Sequence, residues 1–580
     1  MNCKKLSIKR GFEDIELYEK GEDNMTFGKF KKAIESSLDD QERFCIVHND
    51  SGYIWIGTKN GLIGNDSCHY EFLKDGEKIY TDVHFEDENN YELFKHVGDS
   101  NFHIDWEYDA IRINESGNDI NSDTVVEECL QNLRDLDETY GEELERIIKK
   151  IRAKPYTDLL THTHNLILHG APGTGKTHLA REIAEAMGCS DNEIGFVQFH
   201  PSYDYTDFVE GLRPVNDGGS GQIGFGRKDG VFKKFCEKAL KNLKDSEKTT
   251  EQISKEISID EETEDFLSSA IDENIEFNIV TGNKFFVIDF NEKNIYISIP
   301  ENEKVKELVL QRLELSSLLN AEVNIGNGTA VREFFKRKWR TQQDSYVFAL
   351  YKEINQKLSP AEQISNVQRI EKKNFVFIID EINRGEMSKI FGELFFAIEP
   401  SYRGAEKCKD LRTQYSNLQN EPNAFDEILK ITDSDNFGHF FIPENVYIIG
   451  TMNDIDRNVE SMDFAFRRRF TFKEITAKDT QEQILSGLDD SIREEAIKRM
   501  DSLNDAISKI EGLSSSYHIG GAYFLKLKDF DGTSDERFSQ LWDYHLEGLL
   551  REYLRGMENE EDELDKLKKT YENDNLTKEK

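Results

Sequence analysis

No run of about eighteen apolar residues interrupts this 580-residue chain, so no segment is expected to span a membrane. Met1-Asn2-Cys3-Lys4-Lys5 has no apolar stretch behind its lysines and does not read as a signal peptide. Cysteine is sparse. Cys3, Cys45, Cys68, Cys129, Cys189, Cys236 and Cys408 are scattered, odd in number and never spaced C-x-x-C. No zinc site is legible, and reduced thiols in a cytoplasm are expected. Cations are also in deficit. Lys and Arg number 74 against 113 Asp and Glu, a formal net charge of −39. A surface that coats nucleic acid broadly would be basic, so the chain lacks one. A ring that is acidic outside, with a few cations in its pore, remains compatible with DNA. The 37% hydrophobic content leaves ample core, and the length suggests several domains.

What is present begins with Gly170-Ala171-Pro172-Gly173-Thr174-Gly175-Lys176-Thr177, the G-x-x-x-x-G-K-[ST] phosphate-binding loop. Asn165-Leu166-Ile167-Leu168-His169 precedes it as a short buried strand. His178 to Met187 follows as an amphipathic helix. Strand, glycine loop and helix turn backbone N–H groups and a helix N-terminus toward phosphates. Gly170, Pro172, Gly173, Thr174, Gly175, Lys176, Thr177 and His178 form the expected nucleotide-binding set. Lys176 would supply charge to the β/γ-phosphates, and Thr177 a hydroxyl to Mg²⁺.

Downstream, Phe375 to Ile379 is an apolar strand that ends in Asp380-Glu381. At the C-terminal end of a parallel strand, Asp380 would hold Mg²⁺ and Glu381 would orient or deprotonate the attacking water. A third apolar strand, Val446 to Gly450, leads into Thr451-Met452-Asn453. Asn453 would touch the γ-phosphate or the water; the alternative is a capping Asn before a helix. Asp463-Phe464-Ala465-Phe466-Arg467-Arg468-Arg469-Phe470 ends in three cations. In a ring one or two of them could reach a neighbour's nucleotide, the alternative being a solvated basic turn.

The fold class expected is α/β: a P-loop core with a helical lid, a β-rich N-terminal domain and a small α+β insert. Residues 1–113 look β-rich, with a hairpin around Asn49-Asp50-Ser51-Gly52. Residues 114–154 read as linker and helix, the apolar repeat from Val125 to about Ile151 packing on the next domain. The core spans 155–478. Lys176 and Asp380 stand 204 positions apart, more than a few βα units need, so an insert is placed at about 246–344. Three strands are expected there near 277–280, 285–290 and 295–299, and a helix over 305–319. Helices over 479–557 form the lid. The polar tail, 558–580, is expected to fray.

Taken together these motifs resemble an AAA+ module, and more specifically the McrB-like family. The resemblance rests on Met452-Asn453-Asp454-Ile455-Asp456-Arg457, which fits M-N-x-x-D-R, and on Asp380-Glu381-Ile382-Asn383-Arg384. It extends to Phe199-His200-Pro201-Ser202-Tyr203-Asp204-Tyr205 with Phe208 to Pro214, to Ala465 to Phe470, and to His518-Ile519-Gly520 with Tyr523-Phe524. It covers about 155–245 and 370–555. The resemblance implies a homo-hexameric ring hydrolysing GTP at subunit interfaces, and an McrC-like nuclease partner in defence against foreign or modified DNA. Carried over, Asn453 and Asp456 would position water, Arg468 and Arg469 would act in trans, and Arg457 would hold the signature loop. The chain has no metal-dependent nuclease motif of its own. No Asn-Lys-x-Asp guanine-reading motif is present, so GTP and ATP both stay open. An alternative is a MoxR or dynein-related ATPase that remodels a protein complex without DNA. A third is a binding module whose AAA+ part only oligomerises.

Three softer features remain. Arg332 to Arg340 is the densest basic stretch, read as a buried-aromatic helix with a solvated basic face. Tyr53, Trp55, Trp106 and Tyr108 are either core or the lining of a base pocket, through which DNA could be engaged. His162, His164 and His169 lack the Cys or acidic neighbours of a metal site and read as surface or core histidines.

Overall fold

The computed structural model describes residues 25–572 apart from 39–42, 65–67, 86–93, 95–102, 106–109, 114–115, 217–222, 281, 303–304, 322–324, 336, 338–340, 358–368, 420–421, 432–435 and 456–463. Asp456, Arg457, Trp106 and Tyr108 therefore lie outside the described residues. No described helix is long and apolar enough to cross a membrane.

The N-terminal part is an antiparallel sheet. β1 (Phe44–Asn49), β2 (Tyr53–Thr58), β3 (His69–Asp75) and β4 (Lys78–His84) pair in sequence. β5 (His103–Asp105), β6 (Ala110–Arg112) and β7 (Asn118–Asp119) complete it, in the order β1-β2-β3-β4-β6-β5 with β7 also on β4. Asn118–Asp119, at the expected boundary, thus still belong to the sheet. One face carries Ile54, Ile56, Tyr70, Phe72, Ile79 and Val83 into a core closed by the helices Phe27–Leu38 and Val125–Thr163.

The latter helix corrects two expectations. It is 39 residues long and continues past Pro155. A proline in a helix removes one i→i−4 hydrogen bond, and packing offsets that loss here. Val125, Cys129, Leu133, Leu136, Tyr140, Leu144 and Ile148 pack on the preceding sheet rather than on the next domain. Only Ala153, Leu160 and their neighbours reach the core sheet. Arg152 reaches back, Nη2 donating to Gly61 O at 2.7 Å.

The core sheet is parallel, in the order β18 (Thr471–Glu474), β8 (Asn165–Gly170), β17 (Val446–Asn453), β16 (Phe375–Asp380), β9 (Ile194–Gln198). Alternate residues of each strand go to opposite faces. Leu166, Leu168, Val376, Ile378 and Ile449 pack with the helix Lys176–Ala186. Ile167, Phe375, Phe377, Ile379, Val446 and Ile448 pack with Phe232, Phe235 and Ala239 of the helix Val231–Glu247 on the other. This two-sided covering is why the strands read as unbroken apolar runs. Between β9 and that helix stands a hairpin, β10 (Glu210–Asn216) and β11 (Ile223–Asp229). Its foot is a buried ion network: Glu210 Oε2 accepts from Lys233 Nζ and from Arg227 Nη1, each at 2.8 Å, and both Glu210 and Lys233 are fully buried.

The insert is a second α+β unit with its own core. β12 (Phe277–Asn278), β13 (Lys284–Phe290), β14 (Asn294–Ser298) and β15 (Glu307–Gln311) form an antiparallel sheet covered by the helices Thr250–Asp272, Arg312–Asn320 and Gln343–Lys357. The expected helix over 305–319 is instead β15 followed by a helix, because Leu308 and Leu310 register against Ile297 and Ile295. The C-terminal border extends beyond 344, since Val347, Leu350 and Ile354 fill the insert core. In the basic stretch, Phe334 and Phe335 pack on that core. Arg337 is held by Glu314 and by Asp344 Oδ1 at 2.6 Å, so this cation is structural.

The tail does not fray through residue 572. Glu560–Glu572 is a helix that buries Leu564, Leu567 and Tyr571 on the lid, and Tyr571 Oη donates to Phe538 O at 2.8 Å. Three apolar residues at helical spacing outweigh the polar composition. Replacing Tyr571 by Ala should cost about 3–5 kcal/mol of lid stability, the usual range for a buried aromatic. Denaturant unfolding of the full chain measures it; a loss below about 0.5 kcal/mol, as at a surface position, would return the tail to the fraying class.

Candidate functional site

The phosphate loop joins β8 to the helix Lys176–Ala186. Its backbone dictates glycine. Gly170, Gly173 and Gly175 have φ of 148°, 78° and 74°, and a Cβ on Gly170 would lie 2.4 Å from Ile475 O. Lys176 is buried, with Nζ donating to Ala171 O at 2.7 Å and to Gly170 O at 3.2 Å. Its ammonium is therefore folded inside the loop's concavity. His178 points away: its side chain is 68% exposed and lies beside Glu182, which raises its pKa. Only its backbone, in the first turn of the helix, belongs to the loop.

Parallel pairing brings the strand tips to this loop. Thr177 Oγ1 donates to Asp380 Oδ1 at 2.6 Å, and Thr451 Oγ1 donates to the same oxygen at 2.7 Å. Gln198 Nε2 reaches Asp380 Oδ2 at 3.2 Å. A hydroxyl and a carboxylate side by side are hard oxygen donors, which suits Mg²⁺ completed by phosphate and water. Among the described residues there is no cluster of three or more His, Cys, Asp or Glu that could hold a metal unaided.

Glu381 follows with φ 52° and ψ 45°, the left-handed region that a non-glycine residue enters at a cost. That turn projects its carboxylate beside Asn453, whose Nδ2 donates to Glu381 Oε1 at 2.7 Å. Arg384 Nε stands 3.2 Å from the other oxygen. Asn453 is the last residue of β17, so the helix-capping alternative does not apply to it.

The three arginines separate. Arg467 and Arg468 are exposed, while Arg469 is buried. Arg469 donates to Ala465 O and lies over the Phe395 ring at 4.3 Å. Its carbonyl accepts from Asn165 Nδ2 at 2.8 Å, and Asn165 Oδ1 accepts from the buried Arg403 at 2.5 Å. The expectation that Arg469 reaches a neighbouring subunit is corrected: its guanidinium is spent on anchoring its own turn. Arg468 is left as the outward cation of the two.

The lid closes over the loop. Gly520 N donates to Pro172 O at 3.2 Å, Ala522 N to Gly173 O at 3.0 Å, and Thr480 Oγ1 to Thr174 O at 2.9 Å. Asn504 clamps Ile519 through both its N–H and its carbonyl, at 2.7 and 3.0 Å. Thr451, Arg384, Thr480 and Asn504 were not singled out from sequence. The first two had a signal, standing inside the Thr451-Met452-Asn453 and Asp380 to Arg384 runs. The lid residues had none.

Two family models match the chain. The AAA domain of the dynein-related subfamily matches residues 165–276 and 314–470, breaking where the insert sheet lies. The alpha-helical lid domain of McrB matches residues 495–561. The chain is an McrB-like AAA+ protein. It is similar to the type IV methyl-directed restriction enzyme EcoKMcrB subunit of Escherichia coli K12, 25% identical over 404 residues, 68% of this chain and 55% of that one. It is also similar to the type II restriction enzyme BsuMI component YdiS of Bacillus subtilis 168, 30% identical over 101 residues, 17% of this chain and 26% of that one. The McrB-like chain thus spans about half the length of the first relative and a quarter of the second.

Away from this centre, the N-terminal sheet of the McrB-like chain has a shallow cleft of about 260 Å³ lined by Tyr53, Trp55, Glu71, Leu73, Asp82 and Arg112 among others. Trp55 stacks on His69 at 3.9 Å, and Asp82 and Arg112 make a bidentate pair at 2.8 and 2.9 Å. Of the three histidines weighed for metal, His164 stacks on Tyr447 at 5.0 Å and burial holds its pKa down at about 4.

Gly520 offers a clean test of lid-to-loop contact. Its φ of −82° suits any residue, but a Cβ there would lie 2.2 Å from Gly173 C and 2.5 Å from Thr174 N. Gly520→Ala should lose about 5- to 150-fold in nucleotide affinity, the equivalent of a 1–3 kcal/mol overpacking cost. Titration of fluorescent GTP and ATP analogues checks it; unchanged affinity for both would show that lid and loop separate freely.

Proposed function

We propose that the chain is the nucleotide-hydrolysing motor of a restriction system, a GTPase or ATPase that assembles as a homo-hexameric ring and drives an McrC-like nuclease. The observation that carries this reading is the convergence of Thr177, Asp380, Glu381, Asn453 and Lys176 at one end of a parallel sheet, joined by the 2.6 and 2.7 Å contacts. The restriction-system names of two relatives support the partner class. The McrB lid favours this reading over a dynein-related remodelling ATPase. A cytoplasmic site of action follows from the same class. DNA is engaged through the N-terminal domain or through the partner.

The loop N–H groups and Lys176 bind the β/γ-phosphates, withdrawing charge from the bond to be broken. Thr177 and Asp380 would hold Mg²⁺, which would supply charge neutralisation at the phosphates. Glu381 orients the attacking water and accepts its proton, and Asn453 fixes both water and carboxylate. Asp456 shares the positioning of water, and Arg457 braces the same signature loop. Arg468 of one subunit neutralises charge at its neighbour's site, with Arg467 beside it. In-line attack then releases nucleoside diphosphate and phosphate.

Steady-state hydrolysis of GTP and of ATP, each with and without the neighbouring nuclease gene product, is the deciding measurement. Lys176→Ala should abolish nucleotide binding. Glu381→Gln should bind and assemble yet turn over about a hundredfold or more slowly, within the usual yield of a positioned base. No hydrolysis of either nucleotide by the parent would sink the proposal. Arg468→Ala should lower turnover by about 10³-fold or more, and mixing it with Lys176→Ala should restore part of the turnover, because an interface with Lys176 from one subunit and Arg468 from the other is complete. No recovery on mixing would place Arg468 in cis.

A further inference from the structure

His169 and Asp454 have no part in the mechanism above, yet they meet at its centre. His169 precedes Gly170, the first residue of the phosphate loop, and Asp454 follows Asn453. Nδ1 of His169 lies 2.9 Å from Oδ2 and 3.1 Å from Oδ1 of Asp454. The same joint carries a main-chain bond, Asp454 N donating to Gly170 O at 3.2 Å. Strand register sets this up, with His169 beside Met452 and Gly170 beside Asn453. A carboxylate only accepts, so the imidazole proton facing it must be on Nδ1. On its other side the ring packs edge-on against Phe472 of β18 at 5.9 Å. Both side chains are shielded, at 25% and 17% exposure, which strengthens a hydrogen bond to a charged acceptor.

We infer that His169 and Asp454 are positioning residues for hydrolysis, clamping the tip of β17 to the strand that feeds the phosphate loop and so fixing Asn453 against Glu381. This rests on the reading of Asp380, Glu381 and Asn453 as the hydrolytic centre. Asn453 ends its strand, so the path of the next residue sets where its amide points. Two bonds from Asp454, one through the side chain and one through the main chain, remove the rotation that would swing that amide off Glu381 Oε1. The clamp also makes the P-loop strand and the water-orienting strand move as one piece. Neither residue touches phosphate, so binding should be spared and chemistry should suffer.

The test is steady-state hydrolysis of GTP and ATP by the full chain with its nuclease partner. His169→Phe keeps a flat ring against Phe472 and removes the donor; His169→Asn restores an amide N–H near the Nδ1 position. His169→Phe should lower kcat about ten- to a hundredfold, the scale of a 1 Å misplacement, with nucleotide KM within about twofold. His169→Asn should return kcat to within about threefold of the parent. Asp454→Leu should match His169→Phe, and the double variant should add nothing further. If His169→Phe does not fold, Asp454→Leu with the same kcat and KM readout carries the test. A kcat near the parent's, a rise in KM alone, or no rescue by Asn overturns the inference. Glu381→Gln run in parallel separates the two claims. Normal turnover there means that the hydrolytic centre is misassigned; loss of turnover there with a normal His169→Phe means that only the clamp is wrong.

Discussion

One carboxylate oxygen organises the site. Asp380 Oδ1 accepts from Thr177 at the head of the P-loop helix and from Thr451 near the tip of β17. Its sister oxygen accepts from Gln198 at the end of β9. A single side chain therefore registers three strand tips and one helix N-terminus. Its cost of partial burial is offset by hydrogen bonds to the charged form. Glu381 can be thrown into the left-handed region because its predecessor is held so firmly; the strain is local and its restraint is not.

Much of this was legible in the chain because it is encoded over short spans. The phosphate loop is eight residues, and its glycines announce the backbone they need. β16 and β17 announce themselves as apolar runs, and a carboxylate or amide just past such a run lies at the ligand-binding edge. The McrB-like resemblance likewise rests on contiguous motifs; His518-Ile519-Gly520 and Tyr523-Phe524 fall within the lid match and the others within the AAA match.

What was not legible depends on partners far away in sequence. Arg467, Arg468 and Arg469 are indistinguishable as letters. Which one turns inward is decided by Phe395 and by an Asn165 backed by Arg403. The helix across Pro155 persists because the N-terminal sheet holds one end and the core sheet the other. β15 is a strand because β14 is beside it. The tail's three apolar residues gain meaning only against Phe538 and Trp542. In each case local propensity was outvoted by a tertiary contact.

The helix Val125–Thr163 has a mechanical consequence. At 39 residues it measures about 58 Å, and one residue, His164, separates it from the strand that carries the phosphate loop. It is less a tether than a boom: a tilt of about 5° at its core end displaces the far end by about 5 Å over that length. Because the N-terminal sheet packs along the boom's first two-thirds, it rides as cargo on that displacement. A small shift at the core end would be geared up into travel on the scale of a side chain at the far end of the helix.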